Sequence, residues 1–63
     1  MIRLRKLNGK LFYINVFQIK TMEAIPETKI KMMDNEYYLV RDTIEEVQNK
    51  IEEFWRLRMG EKE

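Results

Sequence analysis

The feature that most constrains this chain is the dipeptide Asn8-Gly9, which lies between two short runs of alternating apolar residues. Asn-Gly is the strongest short-range signal for a β-hairpin, because both residues tolerate the positive φ angles of tight turns. A three-residue loop with Gly9 left-handed in a bulge pairs Ile2 with Ile14 and keeps the apolar side chains of both strands on one face. A two-residue loop would mix the faces. We therefore predict the three-residue loop.

Three further strands are predicted in the middle of the chain, at about residues 20–24, 29–33 and 36–41. Pro26 fixes its own φ and so favours a turn between the first two of these strands. Asp34 and Asn35 both tolerate positive φ, which favours another turn before the last strand. Residues 16–19 lack a clear period, and we read them as a connection that contains a turn of helix.

The predicted pairing of these strands follows from the expected loop lengths. We expect a four-residue loop around Pro26 and a two-residue loop at Asp34-Asn35. These loops would oppose Met22 with Met32, Ala24 with Ile30, Met32 with Tyr37, and Ile30 with Leu39. These side chains would then share the face that carries Ile2 and Ile14, which is the predicted core side of the sheet.

The clearest element is a C-terminal helix, predicted from Ile44 to Met59 and ended by Gly60. Thr43 and Glu46 have the spacing of a capping box, in which each side chain accepts a hydrogen bond from the other residue's backbone amide. Glu46 and Lys50 are spaced to form an ion pair on the outer face. Apolar residues recur at three- and four-residue steps and form one stripe: Ile44, Val47, Ile51, Phe54 and Trp55, with Met59 at its edge.

Together these elements predict an α+β fold, a small antiparallel β-sheet of about five strands in two hairpins followed by one C-terminal amphipathic helix. We expect one domain over residues 1–60, a frayed tail at residues 61–63 and no internal repeat. Arg58 falls within the helical stripe. It extends past the edge of the core, or it stacks on Trp55, or it meets a carboxylate or a second subunit.

The side of the sheet opposite the core combines basic and aromatic side chains. We take as the candidate interaction face Arg3, Arg5, Tyr13, Lys29, Lys31 and Tyr38. Three interpretations stay open: an ordinary solvated surface, a self-association surface or strand edge that makes a homo-oligomer, and a nucleic-acid surface on which bases stack. Self-association is favoured, because a chain of 63 residues can bury only a small core.

Catalysis is not predicted from these residues. The chain has no Cys and no His, and it has no Ser, which excludes thiolate or imidazole metal sites and Ser/His or Cys/His nucleophiles. Carboxylates near turns, such as Asp34 and Asp42, are explained by turn and cap chemistry. We therefore expect no enzyme activity, no cofactor and no metal. The net charge of +1 argues against a nucleic acid as partner.

The hydropathy of the chain predicts a cytoplasmic protein. The longest apolar run covers residues 11–14, far below the roughly 18–20 residues that cross a bilayer as a helix. The amino terminus also lacks the charged and then apolar pattern of a secretory signal. We therefore expect no transmembrane segment.

Two turn motifs stand at a specific separation, Leu7-Asn8-Gly9-Lys10 and Pro26-Glu27-Thr28. Together with the apolar spacing of both hairpins and with Leu39-Val40 leading into Glu45-Glu46-Val47, they resemble the FlbD/SwrD family of small flagellar motility proteins. The resemblance runs from residue 2 to about residue 53. The chain departs from the family pattern at Asp34-Asn35, where Asn-Gly is expected, and at Val16, where many members have Pro. Both departures bear on loop geometry.

The resemblance implies a bacterial protein without catalytic residues that supports swarming by helping the flagellar motor deliver power. The sequence adds that such a protein would act as a small cytoplasmic adaptor, peripheral at the motor, that contacts motor or stator proteins. The candidate interaction face is then the predicted contact surface, and charge reversal at Arg5 and Lys31 should abolish motility.

The rival interpretation is a small RNA-binding post-transcriptional regulator that uses the basic and aromatic sheet face. Met1, Ile2, Leu4, Lys6 and Gly9 follow a pattern similar to the first hairpin of the carbon-storage translational regulators. The similarity ends after that hairpin. The segment that those proteins use near their last strand to read RNA has no counterpart in this chain.

Overall fold

The computed structural model of the protein describes residues 1–24 and 26–58. Its elements in chain order are β1 (Ile2–Arg5), β2 (Leu11–Ile14), a short 3-10 helix (Val16–Gln18), β3 (Ile19–Ala24), β4 (Thr28–Met32), β5 (Tyr37–Val40) and α1 (Ile44–Arg58). The predicted α+β class is confirmed, and so is the turn of helix in the 16–19 connection. The predictions for Ile25, Met59, Gly60 and the tail at 61–63 lie outside the described residues.

The five strands form two antiparallel sheets, one of β1 and β2 and one in the order β3-β4-β5. The sheets meet where β1 ends and β5 ends. An isolated bridge joins Lys6 to Val40, and the Arg41 amide donates a 2.7 Å hydrogen bond to the Arg5 carbonyl. β1 therefore has β2 on one side and the end of β5 on the other.

The first hairpin has the predicted register. Ile2 opposes Ile14, Arg3 opposes Tyr13, Leu4 opposes Phe12, and Arg5 opposes Leu11. Gly9 has a φ of +92°, as the bulged three-residue loop requires. The Gly9 amide donates to the Lys6 carbonyl at 2.9 Å, and the Asn8 side chain accepts from the Lys10 amide at 2.9 Å. The turn residues thus satisfy the backbone of their own loop.

The predicted register of the β4–β5 hairpin is wrong by one residue. Tyr37 opposes Lys31 rather than Met32, and the remaining pairs are Ile30 with Tyr38, Lys29 with Leu39, and Thr28 with Val40. The loop has three residues instead of two, because Asn35 is left-handed with a φ of 72°. The Asn35 amide donates to the Met32 carbonyl at 2.9 Å, and the Met32 amide donates to the Glu36 carbonyl at 2.7 Å.

The predicted register of the β3–β4 hairpin is also wrong, by two residues. Met22 opposes Ile30 rather than Met32, and Ala24 opposes Thr28. The reason is that Thr28 belongs to β4 instead of the loop, so the connection is shorter than the four residues predicted. A shift of two residues preserves the facing of side chains. Met22 therefore still packs against the core.

Hairpins β1–β2 and β4–β5 share one geometry. Gly9 and Asn35 are the left-handed residues, and each donates its amide to the residue three positions earlier. The side chain before each of them, Asn8 or Asp34, accepts from the amide two positions later. The buried Leu4 of the first hairpin corresponds to Ile30 of the second. The chain thus contains a structural repeat that the sequence analysis missed.

One core joins both sheets and the helix. Its buried members are Ile2, Leu4, Ile14, Val16, Ile30, Met32, Val40 and Val47. The register of β5 decides which of its residues belong to the core. Val40 and the half-buried Tyr38 lie on the core side. Tyr37 and Leu39, which were predicted to face the core, are exposed on the other side.

Helix α1 begins at the predicted capping box. The Thr43 amide donates to Glu46 Oε1 at 2.9 Å, and the Glu46 amide donates to Thr43 Oγ1 at 3.1 Å. The predicted ion pair between Glu46 and Lys50 is replaced by a pair between Lys50 and Asp42 at 3.1 Å. Glu46 is occupied by the cap, and Asp42 offers Lys50 a less exposed carboxylate.

Candidate interaction surfaces

The outer side of the first hairpin presents two arginines beside two apolar side chains. Arg3 stands opposite Tyr13, and Arg5 stands opposite Leu11. All four side chains are exposed. The Arg5 guanidinium also donates to the Gly9 carbonyl at 2.9 Å, which holds it over the turn. This side of the hairpin carries positive charge next to apolar area.

The outer side of the β4–β5 hairpin repeats that arrangement with lysines. Lys29 stands opposite Leu39, and Lys31 stands opposite Tyr37. The Lys29 ammonium lies 4.4 Å from the centroid of the Tyr37 ring, within the range of a cation–π contact. Glu23 of β3 is the cross-strand neighbour of Lys29. We call these two surfaces, Arg3/Arg5/Leu11/Tyr13 and Lys29/Lys31/Tyr37/Leu39, the twin faces.

The structure places five of the six predicted interaction residues on the twin faces. Arg3, Arg5 and Tyr13 lie on the first, and Lys29 and Lys31 lie on the second. The sixth residue, Tyr38, was predicted to share their side but lies on the core side. Its ring centroid is 5.2 Å from that of Phe12. Tyr37 takes the outward position, as a consequence of the one-residue shift in β5.

A polar clamp joins the helix to the edge of β1. Asp42 Oδ1 accepts from the Arg5 amide at 2.8 Å. The Lys50 ammonium donates to Asp42 Oδ2 at 3.1 Å and to the Arg3 carbonyl at 2.6 Å. Burial alone would raise the pKa of Asp42, but the Arg5 amide and Lys50 together hold that pKa below its ordinary value. The clamp satisfies backbone groups that β1 would otherwise leave unpaired.

This clamp was not predicted from the sequence. Asp42 was assigned to turn chemistry, and Lys50 was assigned to Glu46. The partners of both residues lie in β1, more than thirty positions away in the chain. Local spacing therefore gives no signal for the contact.

An apolar and aromatic cluster lies at the last turns of the helix. Phe17, from the 3-10 helix, packs edge-on against Phe54 and Trp55 at centroid distances of 5.9 and 5.3 Å. The Arg58 guanidinium lies 5.5 Å from the Phe17 ring and 5.8 Å from the Phe54 ring. One of the predicted alternatives placed Arg58 on the Trp55 ring, but the rings it lies over are those of Phe17 and Phe54. Phe17 was missed because residues 16–19 show no periodicity.

An open groove of about 510 Å³ adjoins this cluster. Its lining residues come from the start of β1 and from the second half of α1: Met1, Ile2, Arg3, Lys50, Glu53, Phe54, Leu57 and Arg58. Phe54 and Arg58 belong to both the groove and the aromatic cluster. We call the combined surface, made of Met1, Phe17, Phe54, Trp55, Leu57 and Arg58, the helix-end patch.

Two further observations bear on what these surfaces can do. Within residues 1–24 and 26–58, no group of three or more His, Cys, Asp or Glu side chains is placed to hold a metal ion. Over the same residues, no helix combines the length and the apolar character needed to cross a membrane. The chemistry that the described surfaces offer is positive charge next to exposed apolar and aromatic area.

The comparison with protein families gives one match that covers most of the chain. A family model described as flagellar and swarming motility proteins, FlbD, matches residues 1–58. The comparisons with curated proteins and with solved structures gave no match. The match includes all five strands and the described part of the helix, and so all of the surfaces described above.

Proposed function

Because the chain belongs to the FlbD family of flagellar and swarming motility proteins, we propose that it is a non-catalytic adaptor that supports the output of the flagellar motor. In this proposal the protein is cytoplasmic and works at the periphery of the motor, where it contacts a motor or stator protein. The observation that carries the proposal is the pair of twin faces, each with two basic side chains beside exposed apolar ones.

The twin faces favour a partner segment that combines acidic and apolar side chains. Arg3 and Arg5 would pair with carboxylates, while Tyr13 and Leu11 supply the apolar contact. Buried aromatic and arginine side chains contribute most of the affinity in typical protein interfaces. The polar clamp supports this role, because Asp42 and Lys50 fix the backbone that carries Arg3 and Arg5.

Self-association remains part of the proposal and uses a different surface. Within the described residues, β2 pairs with β1 alone and β3 pairs with β4 alone. Each of these strands therefore has a free edge, which is a common site of pairing between copies of a chain. Sedimentation velocity over a range of protein concentrations tests this point, and a single monomeric species throughout would contradict it.

The motility proposal is tested by replacing the gene in a motile host with variants. Deletion should leave filament number normal and lower swarming speed. The double variant Arg5→Glu/Lys31→Glu, which reverses one charge on each twin face, should behave like the deletion although protein abundance and far-UV circular dichroism stay native. The matched control Lys10→Glu/Lys20→Glu carries the same charge change on exposed residues off the twin faces. It should restore swarming.

Other outcomes would contradict the proposal. Missing filaments after deletion would place the protein in flagellar assembly or expression. Unchanged swarming after deletion would remove the motility role. Full rescue by the double variant would remove the twin faces from that role.

RNA binding is the second candidate, and one observation favours it. Tyr13 and Tyr37 are both exposed beside basic side chains, an arrangement on which unpaired bases can stack. A gel shift with structured RNA at low and high salt tests this candidate, since phosphate contacts weaken steeply with salt. The absence of binding at low salt would remove it.

A further inference from the structure

The helix-end patch exposes several large apolar side chains close together. Four of its side chains are largely open to solvent: Met1 is 68% exposed, Phe17 51%, Trp55 41% and Leu57 73%. Phe54 and Arg58 connect them, because both line the groove and both contact the aromatic cluster. Contiguous exposed apolar area on a soluble chain commonly marks a binding surface.

The patch lies where helix α1 extends past the start of β1. Helix α1 runs antiparallel to β1. The Asp42 side chain accepts from the Arg5 amide, and the Lys50 ammonium donates to the Arg3 carbonyl. Farther along the helix, Leu57 lines the groove together with Met1. The helix has 15 residues and rises about 22 Å, whereas the four residues of β1 span about 13 Å. The last helical turns therefore extend beyond the strand, in a molecule that measures 38 × 23 × 19 Å.

Positive charge surrounds this apolar end. Arg3, Lys50 and Arg58 line the groove, with Lys50 already paired to Asp42. Among the described residues, Glu53 is the one acidic residue in its lining. Arg58 is exposed and lies over the Phe17 and Phe54 rings, so its charge stands directly above apolar surface. Arginine in this position can keep its stem on apolar groups while its head meets an anion.

We propose that the helix-end patch binds the surface of a membrane that contains anionic phospholipid. Trp55, Leu57 and Phe17 would enter the interfacial region, where aromatic and apolar side chains gain from leaving water. Arg3 and Arg58 would pair with headgroup phosphates. This inference is independent of the motility role, because binding to a lipid surface requires no motor component.

A second copy of the chain fits the patch less well. The four exposed side chains offer roughly 400–500 Å² of apolar area, at about 200 Å² for each fully exposed large side chain. A stable protein interface typically buries about 800 Å² on each partner, of which somewhat more than half is apolar, so it is the charge and not the apolar area that distinguishes the two occupants. Two copies meeting at this end would also bring Arg3 and Arg58 of each chain toward like charges. A lipid surface needs no matching shape and supplies the opposite charge.

Trp55 offers a direct reporter, since the chain contains a single Trp. Vesicles of phosphatidylcholine with about 30% phosphatidylglycerol, whose surface potential is negative, should shift the Trp55 emission to the blue and sediment with the protein. Pure phosphatidylcholine vesicles should bind at least about tenfold more weakly. Added salt should weaken the binding to the anionic vesicles.

Matched variants separate the patch from the rest of the surface. Leu57→Glu should weaken vesicle binding about tenfold or more. Met33→Glu makes the same kind of change on an exposed residue outside both the patch and the twin faces and should leave binding unchanged. Arg58→Gln should weaken binding about fivefold, whereas Glu53→Gln should strengthen it. Circular dichroism reports whether each variant folds, and Arg58→Gln tests the patch even where Leu57→Glu loses structure.

Three results would overturn the proposal. The first is native Trp55 emission in the presence of millimolar anionic vesicles. The second is a blue shift without vesicles that grows with protein concentration, which would show that a second copy covers the patch. The third is equal vesicle binding by folded Leu57→Glu, Arg58→Gln and the native chain.

Discussion

At the scale of single residues, two left-handed positions define the registers of the β1–β2 and β4–β5 hairpins. Gly9 adopts its φ of +92° without cost to a side chain, and nothing lies within 4 Å of where a Cβ would stand. Asn35 adopts a φ of 72° as one of the few non-glycine residues that tolerate it. An alanine at either site would be strained through the backbone alone.

We therefore predict that Asn35→Ala and Gly9→Ala each lower the free energy of unfolding by about 1 kcal/mol. Asn35→Gly should be neutral or slightly stabilising, because glycine removes the residual strain. Urea denaturation followed by Trp55 fluorescence measures all three. A fully stable Asn35→Ala variant would mean that the β4–β5 hairpin does not use the bulged loop.

Gly9 and Asn35 also explain why the register of the β1–β2 hairpin was predictable and that of the β4–β5 hairpin was not. Gly9 after Asn8 specifies a left-handed position, so the first register follows from the sequence. Asn35 fits both a two-residue and a three-residue loop, and the sequence Tyr37-Tyr38-Leu39-Val40 has no polar alternation to decide between them. The exchange of Tyr37 and Tyr38 between the two sides follows from that ambiguity.

At the scale of elements, the helix is held to β1 by the polar clamp as well as by apolar contact. Because the folded chain lowers the pKa of Asp42, the ionised carboxylate stabilises the fold. This contribution is fully present above the ordinary Asp pKa of about 3.9 and is lost as the pH falls through the lower pKa of the folded state.

Asp42→Asn should therefore destabilise the protein by about 1–2 kcal/mol at pH 6, and by less near pH 2, where the native carboxylate is also neutral. Lys50→Gln should likewise destabilise the protein less near pH 2 than at pH 6, since Lys50 helps to lower the pKa of Asp42. The free energy of unfolding, measured by urea titration at both pH values, checks the prediction. A difference that stays constant with pH would contradict it.

The helix itself was predicted from its cap and its periodicity, and both signals are local. The surfaces that depend on contacts between distant elements were not predicted. Phe17 enters the helix-end patch only because the connection after β2 folds back toward Phe54. The basic half of the twin faces was predictable, because Arg3, Arg5, Lys29 and Lys31 alternate with core residues along their strands.

At the scale of the whole molecule, a single core spans both sheets and the helix. Val47 is fully buried in the same cluster as Leu4 of the first sheet and Ile30 of the second. Because neither sheet has a separate core among the described residues, the two sheets should unfold together.

We predict that Val47→Ala lowers the free energy of unfolding by about 2 kcal/mol, through lost transfer energy and the cavity left behind. The urea transitions of the variant followed by far-UV circular dichroism and by Trp55 fluorescence should coincide. Separate midpoints for the two probes would show that the sheets are independently stable. Val40→Ala, on β5, should give the same coincident transitions.

The equivalence of the two hairpins has a consequence for binding strength. A chain that displays the same kind of surface twice is bivalent toward any partner that repeats its acidic segment. Once one face is engaged, the other is held at a high effective concentration, and the combined affinity exceeds that of either face alone. Loss of one face would then leave weak binding by the other. Each single charge reversal should therefore lower swarming speed less than the double variant does.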